Sequence, residues 1–97
     1  MATFIVLGNY TDQGIRNIKD AAKRTETVKE LAKKSGATVK ETLWTLGAHD
    51  FVSIIEAPDD QTMMALGMSI GALGYVRTQT LRAFSGAELG AILGKVG

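Results

Sequence analysis

The chain has 97 residues, 45% of them apolar, with 11 Lys and Arg against 10 Asp and Glu and a formal net charge of +1. That length supports one domain over residues 1–97, and so small a charge excludes whole-protein attraction to nucleic acid or an anionic membrane. With no Cys there are no disulfides, thiolate nucleophiles or Cys-based metal sites, and a single His excludes a multi-His metal cage within one chain.

Thr3 to Tyr10 (TFIVLGNY) is rich in β-formers and apolar on both alternating faces, and it runs into a turn and cap cluster. Phe4, Val6 and Tyr10 fall on one side, Ile5 and Leu7 on the other. From Asp12 to Ser35 the apolar period lengthens to that of a helix, with Ile15, Ile18, Ala22, Val28, Leu31 and Ala32 as one stripe. Thr11 or Asp12 is the expected cap and Gly36 the expected end. Gly14 and Asp20 are poor interior helix residues, so the first turns are expected as a separate short helix. Thr38 to Leu46 alternates as a strand, Val39 and Leu43 opposite Lys40 and Trp44. After Gly47-Ala48-His49-Asp50 comes a third strand, Phe51 to Ala57, which closes a hairpin. Phe51, Ile55 and Ala57 share one of its faces, Val52 and Ile54 the other. Pro58-Asp59-Asp60 stops the strand and caps a helix over Gln61 to Leu73, carrying Met64, Leu66, Met68, Ile70 and Leu73. Tyr75 to Phe84 is the fourth strand, and a Ser85…Glu88 capping box opens a short helix through Leu89, Ile92, Leu93 and Val96.

This βαββαβ order with a C-terminal helix predicts an α+β, ferredoxin-like sandwich, two helices on one face of a four-stranded antiparallel sheet. Such a sheet ordinarily alternates apolar-in and polar-out. The first and third strands do not. Ile5, Leu7, Val52 and Ile54 therefore require a cover that the chain has no residues to supply, which predicts a homodimer closing sheet to sheet and leaves room for a higher oligomer. Gly67 and Gly71 share a helix face, as do Gly90 and Gly94. Each glycine inside a helix costs about 1 kcal/mol relative to Ala, so these positions are expected to lie at close helix contacts in an oligomer.

Thr3–Asp20, Trp44–Asp60 and Leu73–Phe84 together resemble the GYD domain family of small bacterial and archaeal proteins over nearly the whole chain. The resemblance implies the fold and an oligomeric habit, without an assigned activity. The family's Gly-x-Tyr-Asp hairpin stands here as Gly47-Ala48-His49-Asp50, so a role needing that phenol does not carry over. Gly47–Asp50 and Gly74–Thr80 (GYVRTQT) also resemble, more weakly, the ligand-binding domains of leucine-responsive regulators, which form dimeric α+β barrels and take small metabolites between subunits. No helix-turn-helix accompanies them, so DNA reading is not implied.

The hairpin tip is the first candidate site. Gly47 permits positive φ, His49 is of the residue type suited to handling protons, and Asp50 can accept backbone N–H bonds or orient the imidazole. Asn9 and Tyr10 close the first strand, where a cleft between sheet and helix is expected. Trp44 is read as its apolar wall or as packing. Arg77 could clamp a carboxylate, and Arg82 lies on the opposite face of the same strand. Arg16, Lys19, Lys23, Arg24, Lys29, Lys33 and Lys34 are read as a solvated helix face.

The leading expectation is an oligomeric assembly or small-metabolite-binding module with no cofactor or metal and no nucleic-acid or membrane partner. The alternative is a small oxygenase or isomerase, cofactor-free or haem-dependent, with His49, Asp50, Trp44 and Tyr10 lining its cleft. The opening MATFIVLGNYTDQG has no basic stretch, and its apolar run is too short for a secretion signal, so a cytoplasmic protein is expected.

Overall fold

A computed structural model describes all 97 residues. In chain order it contains β1 (Ala2–Tyr10), α1 (Asp12–Arg16), a 3₁₀ turn (Ile18–Asp20), α2 (Ala21–Lys34), β2 (Thr38–Trp44), β3 (Phe51–Ala57), α3 (Asp60–Ala72), β4 (Val76–Ala83) and α4 (Gly86–Leu93). The strands form one antiparallel sheet in the order β2-β3-β1-β4. This is the ferredoxin-like βαββαβ arrangement, with α2 lying against β2, and α3 against β4 and β3. No helix is long and apolar enough to cross a membrane.

Polar side chains start the helices where the chain was expected to turn. Thr11 Oγ1 accepts from the Gly14 N–H (3.1 Å), and Asp59 Oδ1 from the Thr62 N–H (2.7 Å). Ser85 and Glu88 form the reciprocal capping box. Phe4 and Val6 of β1 and Ile55 and Ala57 of β3 meet Ala32 of α2 and Met63, Leu66 and Ile70 of α3 in the core. Ile55 and Leu66 are almost wholly buried, each contributing about 1.5–3 kcal/mol.

Three local expectations change. The expected separate short helix is present as α1, but the apolar stripe does not run on through it as one face: Asn17 leaves helical geometry (φ −108°, ψ 32°), and the 3₁₀ turn resets the angular phase at which α2 begins. Ile15, Ile18 and Ala22 are therefore exposed, while Val28, Leu31 and Ala32 pack inward. In α3, Met63 rather than Met64 or Met68 faces the sheet; the latter two are 61% and 63% exposed. In β2, Val39 pairs with Ile55 and Glu41 with Ile54, so Lys40 is an inserted residue of a β-bulge. The bulge moves Val39 and Leu43 to opposite faces. Strand pairing ends at Trp44, leaving Leu46 fully exposed in the hairpin loop.

The last helix stands away from the body. It has no substantial packing partner in its own chain, and Leu89, Ile92, Leu93 and Val96 are exposed. Arg82 fixes its direction. One guanidinium nitrogen donates to the Ala83 carbonyl, the other to Glu88 Oε2 at 3.3 Å, and the group lies 4.3 Å from the Phe84 ring centroid.

Glu88 is held below its ordinary pKa first by the Ser85 backbone N–H and then by Arg82, against a smaller opposing effect of desolvation. A carboxylate lowered in the folded state contributes stability above its unfolded pKa, and that stability is lost as the pH falls through the folded value. Hydrogen exchange at the α4 amides is thus expected to accelerate as the pH drops from neutrality to about 3, relative to the intrinsic rate. In Glu88→Gln this pH dependence is expected to disappear. Retention of the full dependence in the variant would overturn this role for Glu88.

Candidate functional site

Four aromatic residues converge at one end of the sheet. Trp44 ends β2 and pairs with Phe51, which begins β3 opposite Gly8 of β1. Gly8 has no side chain, and the Phe51 ring occupies the space a Cβ would need. Tyr10 pairs with Val76 on the other side, and Tyr75 precedes β4. Because the Lys40 bulge turns Trp44 toward the helices, its indole Nε1 donates to the Tyr10 hydroxyl at 2.8 Å. The Tyr10 and Phe51 rings pack tilted at 5.8 Å.

Behind these rings lies a cavity of about 70 Å³ between the sheet and α2 and α3. Val6, Val28, Val39, Ile55, Ile70 and Leu73 supply aliphatic wall beside the four rings. Its polar lining consists of Arg24, Thr25, Thr42, Ser53 and Thr78, with the phenols of Tyr10 and Tyr75; the Thr42 and Ser53 hydroxyls pair at 2.9 Å. Arg24 comes from the first turn of α2 and its guanidinium carbon sits 4.7 Å from the Tyr75 ring centroid and 5.9 Å from that of Tyr10. Its nitrogens donate to the carbonyls of Asn17 (2.7 Å) and Gly14 (3.3 Å). No carboxylate pairs with it.

The hairpin tip is a separate structure. Gly47 has φ +107°, which lets the chain reverse between β2 and β3. Asp50 does not touch His49; its Oδ2 accepts the Tyr10 N–H at 2.9 Å, and its own N–H donates to the Gly8 carbonyl at 2.8 Å. His49 Nδ1 lies 3.0 Å from Asn9 Oδ1, while Asn9 Nδ2 donates to the Ala48 carbonyl at 2.7 Å. These bonds tie the tip to the end of β1, with Asp50 serving the backbone rather than the imidazole.

The sequence candidates thus divide into three groups. Tyr10 and Trp44 border the cavity; Asn9, Gly47, His49 and Asp50 form the tip and do not line it. Arg77 pairs with Asn9, on the sheet face away from the helices, whereas Arg82 pairs with Phe4 on the helix side. The sheet register places Ile5, Leu7, Val52 and Ile54 together on that uncovered face, joined by Leu43 and Leu81. Beyond the backbone of their own helix and their chain neighbours, no atom lies within 4 Å of where a Cβ would stand on Gly67, Gly71 or Gly90, and at Gly94 only the Ala91 carbonyl approaches. Arg24 departs from the expectation for its basic cluster: it is a cavity residue, not part of a solvated face. Tyr75 likewise joins the site without having been singled out by its sequence position. The one available signal was Arg24's place directly after the break at Asn17–Asp20.

The GYD domain model matches residues 4–93. A Thermus thermophilus protein named "Glutamine synthetase and cystathionine beta-lyase binding protein" is 36% identical over 90 residues, covering 92% of this chain and 95% of its own. The crystal structure of TTHA0845 from the same organism superposes with a TM-score of 0.57 at 24% identity, over 88% of this chain and 95% of that one. At that identity the structural likeness establishes the fold alone.

Proposed function

We propose, starting from the fact that this chain belongs to the GYD domain family, that it is a homodimeric binding module paired through the open face of its sheet. The observation that carries the reading is that face: Ile5, Leu7, Leu43, Val52, Ile54 and Leu81 form one apolar patch across four strands with no helix over it. Contiguous apolar patches of this kind mark interaction surfaces. The occupant is a second copy. Glu41 and Arg77 put both signs of charge on the rim of the patch, and a net charge of +1 leaves little self-repulsion. The isolated chain is also thinly cored, with 12 of 97 residues buried, as suits a fold that completes its burial by association. Light scattering or sedimentation at micromolar concentration is expected to return twice the 10.3 kDa of the chain; a one-chain mass overturns the reading.

The Thermus relative's name supports protein partners for this chain as well. We assign them to the apolar surface outside the sheet: Met64 and Met68 on α3, and Leu89 and Leu93 on α4. Gly67, Gly71, Gly90 and Gly94 are the close-contact positions of those two helices. The cavity beside Tyr10 and Trp44 supports a small metabolite as a further ligand of the module.

A further inference from the structure

We infer that the cavity between the sheet and α2 is a receptor for a small monocarboxylate, its carboxylate at Arg24 and its short apolar tail inside. The inference rests on reading the cavity as a ligand site and is independent of whether the sheets pair.

The donors and acceptors at the mouth do not balance. Arg24 has five N–H donors, of which one on each terminal nitrogen is taken by a backbone carbonyl. The rest have no partner within the chain, and no carboxylate offsets the positive charge. The Tyr10 phenol oxygen accepts from the Trp44 indole, and its own O–H meets no acceptor. Two neighbouring groups therefore offer donors, with a full positive charge beside them, and the chain itself supplies nothing to receive them. A carboxylate fits both demands, because it accepts only and takes charge-assisted bonds from a guanidinium.

Arg24 is also set for this task before a ligand arrives. Its guanidinium lies over two aromatic rings and is tied to two carbonyls, so little rotamer freedom remains to be lost on binding. Behind it the accessible wall is predominantly apolar, which opposes a second charge on the ligand and suits a hydrocarbon tail. At about 70 Å³ the cavity takes a tail of only a few carbons. A large cofactor does not fit.

Trp44 is the chain's single tryptophan and borders the cavity, so its fluorescence reports occupancy directly. Titration of the whole protein with butyrate is expected to change Trp44 emission saturably, whereas 1-butanol and butylammonium act at least about tenfold more weakly. Arg24→Met keeps the aliphatic stem and is expected to weaken butyrate by a similar factor. Lys33→Met, which removes the same charge from an exposed position of α2, is expected to leave it unchanged. Equal responses to butyrate and butanol overturn the inference, as does no response to butyrate, or a Lys33→Met loss equal to that of Arg24→Met. Should Arg24→Met fail to fold by circular dichroism, the ligand comparison on the unaltered protein still decides. A dimer that ignores butyrate refutes the receptor alone, and a monomer that binds it refutes the pairing alone.

Discussion

Leu7→Glu is expected to convert the paired protein into a folded single chain. Leu7 lies on β1, one of the two inner strands, opposite Val52 on β3 and Gln79 on β4, within the uncovered face. In one chain a carboxylate there meets water, so the circular dichroism spectrum is expected to change little. In the pair it must be buried against apolar neighbours, and two-fold symmetry buries it twice. Removing a carboxylate from water without a partner costs several kcal/mol. A loss of about 4 kcal/mol corresponds to roughly a thousandfold in the dissociation constant, enough to leave one-chain mass at micromolar concentration. Lys33→Glu, on the exposed side of α2, is the control expected to stay paired. A Leu7→Glu protein that keeps the double mass would move the pairing to another surface, with α4 the first alternative.

Gly14→Ala is expected to lower stability by about 2–3 kcal/mol, a fall in Tm of roughly 10–20 °C. In an exposed helix the same change is ordinarily stabilising by up to about 1 kcal/mol, so the sign is the informative quantity. Gly14 is buried in α1, and an added Cβ would overlap the carbonyl oxygen of Tyr75. That oxygen accepts the Thr11 N–H at 3.1 Å, and Thr11 Oγ1 donates to the neighbouring Gly74 carbonyl at 2.7 Å. The obstacle is hydrogen-bonded backbone and has no rotamer into which to retreat. Gly67→Ala offers the contrast: open space surrounds that position in one chain, so its Tm is expected to rise by a few degrees. A fall at Gly67 instead would identify it as a contact made by another molecule.

The parts of the fold that were legible in the sequence are those set by local chemistry. Thr11, Asp59 and Ser85 cap helices because a side-chain oxygen reaches an N–H two or three residues on, whatever the tertiary setting. The two-sided character of β1 and β3 was equally plain, since strand residues alternate faces without regard to neighbours. The Lys40 bulge was not legible. Val39-Lys40-Glu41-Thr42 is ordinary strand composition, and the extra residue exists only relative to β3 across the pair. That one slip placed Leu43 and Trp44 on the wrong faces and hid half of the aromatic cluster. Arg24 escaped for a related reason, because a charge on a helix is read as solvent-facing until the axis and phase of that helix are known. Tyr10 was recognised from its residue type and its place at a strand end, Trp44 from its residue type alone. Their hydrogen bond across 34 residues required the register.

The sheet order also sets when this chain can fold. β1 is complete at Tyr10, yet β3, the first strand it pairs with, begins at Phe51, and the other, β4, at Val76. Its strand pairings therefore close long loops, a topology that slows folding. Synthesis adds roughly 5–20 residues per second, so Phe4-Ile5-Val6-Leu7 stays without either neighbour for seconds while the rest is made. During that interval an apolar strand with unsatisfied backbone is available to any other nascent copy. Crowded synthesis is thus the condition under which this protein is most exposed to aggregation, however stable its finished sheet.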